Sequence, residues 1–116
     1  MHIHQIKIEV KQYKTDEFVK SMRSFSHRIR KQKGCLGYGV HRDAEKENTY
    51  ILVGEWKTEK AMEKHFQTQE FEVLIGAIRV LGDTFTLNIA EVSKTGGFEL
   101  AREQIASQHR KSDVTD

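Results

Sequence analysis

Between His2 and Lys11 the side chains alternate, with His2, His4, Ile6, Ile8 and Val10 on one side and Gln5, Lys7, Glu9 and Lys11 on the other. A period of two predicts a strand with one buried face. The period then changes: Phe18, Met22, Phe25 and Ile29 recur at spacings of four, three and four, the apolar stripe of a helix. Thr15 or Asp16 is the expected cap, because a side-chain oxygen there satisfies free backbone N–H groups. Gly34 is the expected stop. A second strand, Leu36 to Arg42, sets Leu36, Tyr38 and Val40 against Gly37, Gly39 and His41, and a face with two glycines admits a close approach to the backbone. After the polar connection DAEKEN, the run Thr49 to Trp56 has apolar residues on both faces, Tyr50, Leu52 and Trp56 against Ile51 and Val53. Burial on both sides marks a central strand.

Thr58 is the next expected cap, with Glu59 in the first turn where negative charge is favoured. Ala61, Met62, His65 and Phe66 share one helical face; Thr68 permits a break, after which Phe71, Leu74, Ile75, Ile78 and Leu81 resume the period. Gly82 ends the element, and Asp83 to Val92 form a last strand with Phe85, Leu87 and Ile89 on one side. The order βαββαβ folds most simply as an α+β, ferredoxin-like domain over residues 1–95, one four-stranded antiparallel sheet with two helices on one face. The other sheet face is left uncovered and invites a partner sheet. Gly96 and Gly97 make a hinge before Phe98, Leu100, Ala101 and Ile105, a short amphipathic helix with nothing local to pack on. Residues 96–116 are therefore expected to be an arm that docks on a partner subunit and ends in a disordered SQHRKSDVTD tail.

Composition adds exclusions. The 116 residues suit one domain, and 19 basic against 17 acidic residues, net +2, are spread along the whole chain. A nucleic-acid binder concentrates its positive charge. The one dense run, HRIRKQK from His27 to Lys33, falls at a predicted helix end, where cations complement the negative end of the dipole. Neither a nucleic acid nor a membrane is an expected partner. Cys35 is the single cysteine, which excludes an internal disulfide and a CxxC site and leaves a small buried hydrophobe. The start MHIHQIKIEVK has no unbroken apolar core, and no run approaches the ~18 apolar residues of a membrane span. A cytoplasmic location is expected.

The run GCLGYGVHRDAEKENTYILVGEWKTEKAMEKHFQTQEF, Gly34 to Phe71, resembles the antibiotic biosynthesis monooxygenase family of the dimeric α/β-barrel superfamily. A glycine-containing second strand, an acidic hairpin, a third strand closing in Glu-Trp and a histidine on the next helix carry the likeness. Gly34, Tyr38, Arg42, Asp43, Glu55, Trp56, Ala61 and His65 are the matching positions, and the resemblance covers about residues 3 to 92. It implies a homodimer whose two sheets close into a barrel, with a pocket between helices and sheet in each subunit. Family activities include cofactor-free oxidation of anthrones and quinols, haem degradation and isomerisation of a phosphorylated metabolite. The haem-degrading branch carries an asparagine in the first strand and a histidine late in the second helix; here residues 2–11 hold no Asn and residues 71–81 no His. Anthrone oxygenases with an asparagine four residues before the tryptophan also differ, since Leu52 stands there.

Oxygenation without a cofactor needs an electron-rich substrate that loses a proton, so that the anion can pass an electron to oxygen. Histidine, titrating near ~6.5, is the natural base. His65 and Trp56 are the catalytic candidates, the first as base and the second as a flat wall for a ring. Tyr38 offers a hydroxyl to orient a substrate oxygen, and Phe25, Met22, Phe66 and Phe71 lie on core stripes that grade into the pocket wall. The competing view of all seven is plain packing. His2, His4 and His41 have a spacing that suits a metal only if they converge; histidine in a half-buried strand is more often structural, and no metal site is expected. No GxGxxG or other dinucleotide motif is present, so no flavin or other cofactor is expected. The leading expectation is a monooxygenase acting on a small aromatic or quinol-like molecule. An isomerase using the same base, and a non-catalytic binding or stress-response module, stand as alternatives.

Overall fold

The structure is a computed structural model and describes residues 1–114. Its elements are β1 (His2–Val10), α1 (Thr15–Ile29), β2 (Cys35–Arg42), β3 (Thr49–Trp56), α2 (Glu59–Phe66), α3 (Gln69–Leu81), β4 (Gly82–Glu91) and α4 (Phe98–Val114). The four strands form one antiparallel sheet in the order β2-β3-β1-β4. This is the expected ferredoxin-like arrangement, with both inner strands drawn from the segments whose patterns showed the most burial.

Register decides which side chains meet. Across the sheet Ile89, His4, Gly54 and Tyr38 stand in one row, and Leu87, Ile6, Leu52 and Val40 in the next. Directly opposed residues share a face, so these rows point toward the helices. Ile6, Ile8, Leu52 and Trp56 are fully buried there with Phe18, Met22, Ile29, Met62 and Leu74 from the helices. The opposite face carries Ile3, Gln5, Lys7, Ile51, Val53, Glu55 and the two glycines of β2. His41 lies back over Gly39, whose added Cβ would meet its ring at 2.8 Å, so a neighbouring histidine takes the space left by the missing side chain.

Local chemistry shifts two expected boundaries and gives a third, at Thr68, its cause. Lys14 is the residue before α1 and makes no side-chain cap; Thr15 is already helical, and its hydroxyl donates to the Gln12 carbonyl of a preceding 3-10 turn. The helix ends at Ile29, five residues before Gly34, through successive turns in which Lys31, Gln32 and Cys35 donate to Arg28, Ile29 and Gln32. Gly34 still has its own reason: its φ is +83°, and an added Cβ would lie 2.6 Å from that of Ala61 on α2. Thr68 does more than permit a kink. Its hydroxyl accepts from Phe71 N–H at 3.2 Å and donates to the His65 carbonyl at 2.6 Å, which separates α2 from α3.

Beyond β4, α4 runs on to Val114, past Ile105 where the apolar pattern ends. Helix therefore covers most of the stretch expected to be a disordered tail, a run of Gln, Arg and Lys with favourable helix propensity; Thr115 and Asp116 lie outside the described residues. Phe98 is 89% exposed and Ile105 57%.

Candidate functional site

The site begins with Gly54. Its absent side chain lets the His4 ring lie across β3, where a Cβ on Gly54 would come within 2.3 Å of His4 Cε1. The imidazole thereby reaches within 5.7 Å of the Tyr38 ring, centroid to centroid, from two strands away. Trp56 swings from the next row and donates its indole N–H to His4 Nδ1 at 3.0 Å. On β2, the backbone of Tyr38 is tied to α1, its carbonyl accepting from Ser26 Oγ at 3.2 Å and from Arg30 at 3.3 Å.

From above, α2 lowers His65 onto this layer. Thr58 caps that helix by accepting from Ala61 N–H at 3.1 Å, fixing the turn in which Ala61, Met62 and His65 face the sheet. The His65 ring stacks on Trp56 at 4.7 Å and on His4 at 5.3 Å. Phe66 meets His4 edge-on at 5.0 Å, and Phe71 meets His65 edge-on at 5.2 Å. His65 Nδ1 contacts Gln32 Oε1 at 2.8 Å. Burial removes water from both imidazoles and holds each to a pKa of about 4; for His4 the proximity of His65 adds to this, while for His65 the Glu70 carboxylate partly opposes it. Both rings are neutral at pH 7. Burial likewise pushes the Tyr38 phenol well above its ordinary range.

An open groove of about 700 Å³ runs above His65 between α1, α2 and α3. Phe25, Ala61 and Val73 supply apolar wall, Gln32 and His65 a polar floor, and the Arg28–Glu70 ion pair joins α1 to α3 at its side. The arrangement fits a flat apolar body lying over a neutral imidazole.

The seven sequence candidates divide. His65 and Phe25 line the groove; Trp56, Tyr38, Phe66 and Phe71 gather around the inner side of His65; Met22 is buried in the core. Trp56 offers no free face to the groove, because His65 covers it. His4, Gln32 and Gly54 were not among the candidates. Of these only His4 left a signal in the sequence, a polar residue within an apolar strand face. His41 stands on the sheet face opposite His4, so the spacing that raised a metal does not converge. No group of three or more His, Cys, Asp or Glu among the described residues is arranged to hold a metal ion. Cys35 is a half-buried free thiol beside the Gly37 carbonyl. No helix among the described residues is long and apolar enough to cross a membrane.

Comparison with known proteins bears on the same segment. A family profile described as antibiotic biosynthesis monooxygenase matches residues 1–76. The Bacillus subtilis (strain 168) protein YcnE, provisionally named a monooxygenase, is 32% identical over 72 residues, 62% of this chain and 76% of that protein. An uncharacterised Synechocystis protein is 29% identical over 68 residues, 59% of this chain, and there the match spans only 46% of the relative's length. Among solved structures, a Deinococcus radiodurans protein provisionally named an antibiotic biosynthesis monooxygenase superposes with a TM-score of 0.79 at 17% identity, covering 84% of this chain and 97% of its own. A mutant form of SnoaB, a cofactor-independent oxygenase from Streptomyces nogalater, gives 0.73 at 18% identity over 81% and 94%. These structures share the fold, and the profile covers well over half of the sequence: the chain belongs to the antibiotic biosynthesis monooxygenase family.

Proposed function

We propose that this protein is a cofactor-independent monooxygenase that oxidises a small aromatic or quinol-like substrate with molecular oxygen, working as a cytoplasmic homodimer. The observation that carries the reading is the position of His65, a neutral imidazole that floors the groove with one edge and rests its face on Trp56. The substrate ring lies in the groove against Phe25, and His65 takes its proton. The resulting anion passes one electron to oxygen, and the radical pair combines into a hydroperoxide. At an anthrone-type carbon, that carbon gains one oxygen atom, while the other leaves as water with the two hydrogens the carbon has lost. A base held near a pKa of about 4 removes only a proton whose departure is helped by neighbouring donors, and the developing anion raises the pKa of His65 in turn. Family membership supports the reaction class, as does the description of SnoaB as a cofactor-independent oxygenase.

For the dimer, the support is apolar side chains left half-buried or exposed: Ile3, Ile51 and Val53 on the sheet face away from the helices, and Phe98 and Ile105 on α4. The outer sheet faces meet across the dimer, and α4 reaches onto the second subunit.

The test is oxygen uptake by purified protein supplied with anthrone and a panel of hydroquinones. Wild type consumes oxygen, and His65→Ala slows it by roughly 10²–10⁴-fold, the usual contribution of a positioned base. Uptake that survives both His65→Ala and Trp56→Phe removes these residues from the mechanism. Substrate conversion without oxygen use points to an isomerase, and thermal shifts without conversion point to a binding module.

A further inference from the structure

A second groove, of about 970 Å³, lies on the other flank of α1, where the helix faces the edge strand β2. On its helix side Asp16, Lys20, Arg23, His27 and Arg30 recur at spacings of four, three, four and three, which places them on one helical face. Arg42 lines it from β2, and Val19, Val40 and Tyr50 supply its apolar part. Four cations, Lys20, Arg23, Arg30 and Arg42, against one carboxylate, Asp16, leave the groove at +3 with histidines neutral, while the whole chain carries +2. The basic excess of the molecule is therefore gathered here.

The helix dipole explains only part of that excess. Arg30 stands at the C-cap, where a cation is favoured, but Lys20 and Arg23 sit mid-helix and Arg42 on a strand. Among the described residues the one ion pair, Arg28–Glu70, belongs to the first groove, and these four cations have no carboxylate partner. Like charges gathered without a counter-ion repel one another, and an anion placed among them relieves the repulsion. Arg30 is already positioned, since it donates to the Tyr38 carbonyl at 3.3 Å, and a guanidinium has further donors to spare. Ser26 donates to the same carbonyl, so an extended peptide cannot pair with β2 at that point. The groove suits a small anion better than a strand.

We propose that this groove binds a compact polyanionic metabolite whose phosphate or carboxylate groups together carry a charge of about −3, the complement of the groove. Arg23 and Arg30, about 10 Å apart along α1, grip it from one side and Arg42 from the other, their guanidinium forks pairing with its oxygens. Val40, Arg42 and Tyr50 belong to strand rows that face the helices, so the outer sheet faces can meet in a dimer without closing the site.

Isothermal titration of the full chain with tripolyphosphate, citrate and orthophosphate tests the site. Tripolyphosphate or citrate is expected to bind once per chain, more tightly than orthophosphate, and less tightly as salt rises from about 0.01 M to about 0.15 M. The tighter of the two polyanions shows whether phosphate or carboxylate is the group recognised. The double variant Arg23→Gln/Arg42→Gln is expected to lose at least about tenfold in affinity. Lys57→Gln/Lys60→Gln removes the same charge at exposed positions that do not line the groove, and is expected to bind as wild type does. Thermal melts accompany both, and a folded Arg23→Gln/Arg42→Gln that binds as tightly as wild type overturns the proposal. Equal losses in the two double variants overturn it as well, since they would trace the binding to overall charge. Absence of polyanion binding to wild type, as when a second subunit covers the groove, overturns it too. None of these readouts involves oxygen or His65, so the outcome stands apart from the uptake assay.

Discussion

Trp56 and His4, on adjacent central strands, are joined by a hydrogen bond from the indole N–H to Nδ1 at 3.0 Å, with both side chains fully buried. The bond runs diagonally, since the register partner of Trp56 is His2 and that of His4 is Gly54. It fixes the His4 ring in the plane from which it meets His65. Trp56→Phe keeps an aromatic ring but leaves His4 Nδ1 buried without a donor, a loss of about 1–3 kcal/mol. Urea unfolding of Trp56→Phe, His4→Phe and the double variant measures the pair directly: the two costs are expected to fall short of additivity by about 0.5–3 kcal/mol. Additive costs would mean that the bond contributes nothing.

Gly54 and Gly76 make a matched pair of substitutions. Alanine at Gly54 places a Cβ 2.3 Å from Cε1 of the fully buried His4 ring; the expected loss is about 1–3 kcal/mol, as for other overpacked cores. Alanine at Gly76, inside α3 and with nothing within 4 Å of the new Cβ, is expected to stabilise by about 0.5–1 kcal/mol. Thermal melts of the two variants check the contrast. A neutral Gly54→Ala would show that His4 is not confined as described.

Acid destabilises this fold through its buried histidines. His4 and His65 titrate near 4 in the native state, against about 6.5 unfolded. Between those values the unfolded chain binds more protons, so stability rises with pH. Their contribution is complete above about pH 6.5 and is lost as pH falls through the native value near 4, on the order of 3 kcal/mol for each ring. Chemical denaturation at pH 7 and pH 4.5 is expected to show a smaller drop in His65→Phe than in wild type. An equal drop would place the acid sensitivity in other groups.

For the arm, the expected result comes from a chain ending at Val92. Native mass spectrometry and scattering should show a weakened dimer and a lower melting temperature, because the truncation removes Phe98 and Ile105, which we propose dock on the second subunit. An unchanged dimer of equal stability would remove α4 from the interface.

Alternation in residues 2–11 and 49–56, helical stripes through Phe18 to Ile29 and Ala61 to Leu81, and the punctuation by Thr58, Thr68 and Gly82 were legible as local patterns. They correspond to the observed sheet and helices, because each depends on a residue's own neighbours in sequence. The end of α1 and the length of α4 were not. The first is set by turn hydrogen bonds that carry no apolar signal, the second by helix propensity beyond the last apolar residue of the pattern.

His65 and Trp56 stood out in the sequence as chemistry-bearing residues on predicted inward faces, and from sequence alone one could not tell that one covers the other. Gln32 was invisible because it lies in a connection and Gly54 because its role is to lack a side chain, whereas His4 showed as a polar residue on an apolar strand face whose meaning waits on its neighbours. Local pattern was enough to specify the order of elements and the face each presents. The meeting of His4, Tyr38, Trp56, Gln32 and His65 became visible in the folded chain alone, since they come from five separate segments and their convergence depends on strand register and one missing Cβ.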